Sequence, residues 1–325
     1  MRALVVSNML ADAAHPERGR FVRDQAKALA GVAHVEVELY EFAPGPRALL
    51  QAARELRARY GGPSTLSRRP ARAPLDVVHA HFGLTAWPAL CVPARLRALT
   101  VHGTDLRHPR TRVATAAVLP SQRLLGAVSA ALVQELPRAV RSRAHVLPCG
   151  VDVERFHPIE RRRARAELGR DPDSPYLLFP SDPARAEKRH DRALALARAA
   201  GVELVALGGV DPEVVPLWVN GASAVLVPSE REGFGLAVLE ALACDVPILA
   251  TPVGVHAEAL AGVAGTLCAP FELARWQAAL EVHLGSPDPR VAGRAAALRF
   301  SATAMAERVV AAWRETLSRS GGRAG

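Results

Sequence analysis

Residues 223–254 read SAVLVPSEREGFGLAVLEALACDVPILATPVG. A short apolar run (AVLV) leads into a polar loop. An apolar helical stretch (GLAVLEALAC) follows, then Pro247 and a second strand-like run, ILAT. That order predicts a β-α-β unit. Glu232 stands just before the helix, and Glu240 about two turns along it, with seven residues between them. Gly233, Phe234, Gly235 and Leu236 open the helix, and a glycine-rich helix start exposes backbone N–H groups to an anion. Carboxylates accept hydrogen bonds from vicinal hydroxyls, such as those of ribose and hexose. Amides beside two such acceptors suit a nucleotide sugar.

The same alternation runs along the chain. In the first half ALVVSNML, VEVELYEF, DVVHAHF, RALTVHG and HVLPCG read as strands. Between them FVRDQAKALAG, ALLQAARELRAR, TAWPALCVPARL and AVSAALVQEL read as helices, the last with a short strand edge. In the second half YLLFPSD, VELVALGG and SAVLVPS are strands, and HDRALALARAAG is a helix closed by Gly201. GTLCAPF ends the sheet, helices cover 271–284 and 301–318, and the tail SRSGGRAG is expected to fray. Repeated βα units predict parallel sheets, and 325 residues suit two domains. The expected boundaries are 1–148, 149–300 and a terminal segment 301–325 returning toward the first domain.

Half of the residues are apolar, enough for two cores. No uncharged apolar run approaches the ~18 residues of a spanning helix, and MRALVVSNML has too short an apolar core for a signal peptide. A cytoplasmic protein is expected. Cys91, Cys149, Cys244 and Cys268 show no CxxC spacing and read as small apolar residues. The net charge of +9 is uneven, +11 over residues 1–148 and −2 over the rest. A basic first half fits an anionic partner: a membrane surface, a phosphorylated lipid or an acidic glycan. It also fits a solvated surface. Nucleic acid is disfavoured because no recognised module is present. Arg54, Arg57, Arg59, Arg68, Arg69 and Arg72 gather around one helix and its following loop.

Several further segments, in order, carry a resemblance: HPERGRFVRDQAKAL (15–29), DVVHAHFG, TVHGTDL (100–106), PCGVDVERFHP (148–158) and LLFPSDPARAEKRHDRAL. With Glu232-x7-Glu240 they resemble the retaining nucleotide-sugar glycosyltransferases of family 4, often called group 1. The likeness spans nearly the whole chain and includes bacterial surface-polysaccharide and teichuronic-acid-type transferases. It implies a GT-B fold, an α/β architecture of two Rossmann-like parallel-sheet domains facing across a cleft. The first would bind the acceptor and the second the nucleotide sugar, with closure completing the site.

The resemblance implies that Lys188 contacts the donor diphosphate, Glu232 the donor sugar and Glu240 the ribose hydroxyls. His102 would lie near the anomeric centre. Lys188 is one of only two lysines beside 39 arginines, which hints that a compact ammonium is wanted there. The family pairs that lysine with an arginine six residues earlier; here Ser181 and Asp182 stand at that dipeptide. Arg185 is the nearest candidate for the missing cation and Arg189 the next. Gly19 is expected to let the diphosphate or acceptor approach backbone amides, or to be an ordinary turn glycine. His102 is alternatively a packing histidine, and Glu240 an exposed helix glutamate. His79 and His81 share a strand face, but no further ligand completes a metal set, and Asp105 is expected to orient its loop. Asp171 and Asp173 read as a turn.

The implied reaction is transfer of a hexose from a UDP- or GDP-linked donor to an acceptor hydroxyl on a glycan or lipid-linked chain. Anomeric configuration would be retained, with neither metal nor cofactor. Peripheral attachment to the inner face of a membrane is the accompanying expectation. A GT-B epimerase, a phosphorylase and a catalytically impaired sugar-nucleotide-binding protein are the alternatives. Lys27 has no setting for a phosphorylase's pyridoxal phosphate, and Asp182 favours the impaired protein.

Overall fold

The computed structural model describes residues 1–61 and 75–321. Two units are built from parallel strands. The first comprises residues 1–13, 18–149 and 303–325; the second comprises 14–17 and 150–302. The chain therefore passes between units at 149/150 and 302/303, and the short segment 14–17 of the first half groups with the second unit.

The first unit carries β1 (Arg2–Ser7), β2 (Glu36–Glu41), β3 (Leu75–His81), β4 (Ala94–Val101), β5 (Leu124–Ala127) and β6 (Ala144–Val146). They form one parallel sheet in the order β2-β1-β3-β4-β5-β6. After β1 the chain builds to one side with β2 and then to the other with β3. The loops following β1 and β3 therefore flank a topological switch, where open α/β sheets bind ligands. β3 is buried along nearly its whole length, as a central parallel strand must be.

The second unit carries β7 (Tyr176–Phe179), β8 (Glu203–Ala206), β9 (Ala224–Val227), β10 (Ile248–Ala250) and β11 (Leu267–Cys268), in the order β11-β10-β9-β7-β8. Its switch lies between β7 and β9. Leu177, Phe179, Leu226, Leu249 and Trp276 are at the heart of its core.

The terminal helix Ala302–Gly321 supplies Met305, Ala306, Val309 and Trp313 to the core of the first unit, beside Val5, Val77 and Leu96. Trp313 is fully buried, and its indole Nε1–H donates to His79 Nδ1 at 3.2 Å. The helix runs through Gly321, so 318–321 of the expected frayed tail are helical.

One other expectation changes. TAWPALCVPARL is helical only over Ala86–Ala89, and β4 begins at Ala94. Pro93 cannot donate to a helix, and Leu96 is needed in the sheet core. On the helix Pro46–Tyr60 the buried residues are Ala52 and Leu56, whereas Leu50 is 63% exposed. Arg54, Arg57 and Arg59 are exposed on it; Arg68, Arg69 and Arg72 lie outside the described residues. All four cysteines are free, with Cys149 and Cys244 buried and Cys91 and Cys268 half-buried. No helix among the described residues is long and apolar enough to cross a membrane.

Trp313→Ala leaves a cavity and an unpaired His79 nitrogen, and should cost the first unit about 3–5 kcal/mol. Hydrogen exchange should show protection falling in β3 and β4 while β7 and β9 are unchanged.

Candidate active site

In the second unit the loops leaving β7 and β9 meet at the switch point. The β7 loop runs through a 3-10 turn, Ala186–Lys188, into the helix His190–Ala200. The β9 loop runs through Gly235, at φ 107°, into the helix Leu236–Ala243. The Glu230 amide donates to the Glu187 carbonyl and ties the two loops. Lys188 Nζ lies 2.7 and 2.6 Å from the two carboxylate oxygens of Glu232. The pair is nearly enclosed, with side chains 12% and 7% exposed. Ser229 Oγ donates to the same carboxylate at 2.8 Å, and Thr251 Oγ1 in turn donates to the Ser229 carbonyl.

One residue here escaped the sequence reading. His256 is fully buried behind the loop, with Nδ1–H donating to the Thr251 carbonyl at 2.8 Å. Its Nε2 has no hydrogen-bond partner among the described residues. A Cβ on Gly235 would lie 2.4 Å from that nitrogen. Glycine is thus demanded twice, by the left-handed backbone and by the imidazole against it. Burial holds the His256 pKa below its ordinary value, against the attraction of Glu232. A histidine six residues after a strand gives no sequence signal for this contact.

The other expected donor-site residues divide. The Phe234 side chain is buried and meets Phe300 edge-on at 6.3 Å, and its carbonyl accepts from the Val255 amide. Its contribution to any ligand is restricted to backbone. Gly233 and Leu236 are half-buried at the helix start, and Glu240 is half-buried between the fully buried Leu239 and Ala241. Asp182 Oδ1 accepts from the Ala184 amide at 2.8 Å, so this carboxylate caps its own turn. Arg185 bonds Glu187 through Nε and Nη2, while Arg189 bonds Asp191 and Glu230. Both candidates for the second cation are therefore engaged with loop carboxylates. Asp171 accepts from the Asp173 amide in a turn.

In the first unit His102 follows β4. Its amide and that of Gly103 donate to Asp105, a buried carboxylate whose pKa burial pushes up to about 6 despite those bonds. The His102 ring lies 5.0 Å from Phe21 and 4.5 Å from Phe82, and its Nε2 is 2.9 Å from His81 Nδ1. Phe82 holds φ 71°, a conformation that costs a bulky residue about 1–3 kcal/mol and is concentrated at functional sites. Aromatic content gave no hint of this enclosure. Gly19 is left-handed at φ 70°, and an added Cβ would meet the Met9 carbonyl oxygen at 2.2 Å. This loop contact alone requires glycine here, as the turn-glycine reading expects. Among the described residues no cluster of three or more His, Cys, Asp or Glu side chains is placed to hold a metal.

Two family descriptions match this chain. Glycosyltransferase Family 4 covers residues 19–155 and Glycosyl transferases group 1 covers 181–285. A D-inositol 3-phosphate glycosyltransferase of Frankia alni is 31% identical, over 75% of each chain. The chain belongs to the group 1 glycosyltransferases. It is an enzyme of the hexosyltransferase class. Among solved structures, sucrose-phosphate synthase from Thermosynechococcus elongatus is similar with a TM-score of 0.71 at 19% identity, over 98% of this chain and 100% of the other. Anabaena HepE in complex with UDP is similar with a TM-score of 0.65 at 15% identity, over 98% and 100%. The fold of this glycosyltransferase is GT-B.

Gly235→Ala should destabilise the second unit, and His256→Ala should relieve part of the loss. A double-mutant cycle on thermal unfolding should give a coupling of about 0.5–3 kcal/mol.

Proposed function

We propose that this glycosyltransferase moves a sugar from a nucleoside diphosphate to an acceptor hydroxyl with retention of configuration. The observation that carries the reading is the enclosed Lys188–Glu232 pair at the switch point, beside a glycine-opened helix start. An ammonium has three donors. Glu232 holds Lys188 in place while leaving it the capacity to bond a diphosphate oxygen. As the bond from the anomeric carbon to the phosphate oxygen breaks, negative charge gathers on the diphosphate, and a fixed cation there lowers the barrier. The acceptor oxygen bonds the anomeric carbon from the same face, and its proton leaves with the diphosphate. In this scheme Glu232 faces the sugar, Glu240 the ribose, and the amides of Gly233, Phe234, Gly235 and Leu236 the phosphates. The first unit holds the acceptor near His102.

UDP in the HepE complex favours a UDP-linked donor. The relatives' name favours a phosphorylated polyol as acceptor, in place of the surface-polysaccharide chain expected from sequence. The basic first unit suits either acceptor phosphate or an anionic lipid surface. Residence in the cytoplasm, with peripheral attachment through Arg54, Arg57 and Arg59, is part of the same proposal.

Thermal shift against a panel of UDP- and GDP-sugars should raise the midpoint with one of them. Transfer from that donor should fall about 10²–10³-fold in Lys188→Ala. Equal turnover by wild type and variant would sink the assignment. Co-sedimentation with vesicles should rise with anionic lipid content and fall when the three arginines are replaced by Gln; binding indifferent to lipid charge would remove the membrane part alone.

A further inference from the structure

Three histidines stand in line in the first unit: His79 and His81 on β3, and His102 after β4. The His79 and His81 rings stack at 5.0 Å, 16° from parallel. Both are fully buried. The hydrogen bonds around them fix where each proton lies.

His79 is determined first. The Trp313 indole can only donate, so His79 Nδ1, which receives it at 3.2 Å, carries no proton. His79 therefore bears its proton on Nε2 and donates it to Thr100 Oγ1 at 2.7 Å.

The 2.9 Å contact between His81 Nδ1 and His102 Nε2 holds one proton. Were it donated by His102, His81 would carry its own proton on Nε2, and that nitrogen is buried with no partner among the described residues. A buried N–H without an acceptor is rare and costs about 1–3 kcal/mol, and a buried acceptor with an unused lone pair is tolerated more often. Were it donated by His81, the orphan at Nε2 would be a bare lone pair; both imidazoles are neutral in either arrangement. Burial favours neutrality: it lowers the His81 pKa to about 4 and holds that of His102 well below its ordinary value.

We infer that His81 is a positioning residue that donates Nδ1–H to His102 Nε2 and thereby places the His102 proton on Nδ1. His102 then offers its site a neutral N–H donor. It recognises an acceptor atom, a hydroxyl or phosphate oxygen, and takes no proton from the attacking hydroxyl. This assignment of proton positions stands without the transferase reading; only its use in acceptor or sugar recognition rests on that reading.

The test is two-bond nitrogen–proton correlation on ¹⁵N-histidine-labelled protein without ligand. Signals are assigned by the loss of one set in each of His79→Gln, His81→Asn and His102→Gln. The expected result is His79 protonated on Nε2, and His81 and His102 both protonated on Nδ1. In His81→Asn a side-chain amide N–H takes the place of the imidazole Nδ1–H, so this variant should leave His102 protonated on Nδ1. His81→Asp puts an acceptor there and should move the His102 proton to Nε2. A wild-type His102 protonated on Nε2, or the same His102 tautomer in both His81 variants, overturns the inference. Should His81→Asp fail to fold, the wild-type and His81→Asn spectra decide alone. In donor turnover His81→Asn should stay close to wild type, and His81→Asp should fall about tenfold. If the tautomers are as stated but wild type transfers no sugar, the transferase reading fails and the proton assignment stands.

Discussion

The bond between Lys188 and Glu232 is the constraint around which the second unit's site is organised. It joins the loop leaving β7 to the loop leaving β9, and so spans the point where strand order reverses. A nearly enclosed ion pair contributes little net stability, because desolvation offsets most of the attraction; removing one partner is what costs several kcal/mol. Its value here is geometric. Ser229, Thr251 and His256 extend it in a line of hydrogen bonds down to the buried floor beneath Gly235. A ligand anion at this place meets an ammonium already oriented and largely stripped of water.

The first unit encloses His102 with rings. His102 is walled by Phe21 and Phe82 and backed by His81, with the Asp105 carboxylate gathering the turn amides beneath. The terminal helix reaches the same machinery from behind, since Trp313 shares the core with β3 and bonds His79. A residue over two hundred positions away thus fixes the proton of His79, two residues from His81.

Much of this was legible in the chain. The βα alternation gave both parallel sheets, because central strands must be apolar on both faces and helices on one. Glu232, the glycines after it and the rare Lys188 marked residues that the fold brings together at the switch of the second unit. What was not legible depended on contacts distant in sequence. The shared strand face of His79 and His81 is visible in sequence, but their ring partners Thr100, His102 and Trp313 arrive from distant segments. The contact that demands glycine at position 19 comes from Met9, which folds back onto it. TAWPALCVPARL passed for a helix because composition understates one proline and the demand of the sheet for Leu96.

The sequence by itself determined the fold class, the family and the identity of the residues at each loop. These follow from periodicity, turn chemistry and ordered motifs, all of which are local. Only the tertiary structure decided which partner each polar group takes: Glu232 for Lys188, the turn amide for Asp182, Glu187 for Arg185. The physical reason is that a hydrogen bond is satisfied by distance and angle alone. Any donor carried into reach by the fold can serve, and spacing along the chain does not say which one arrives.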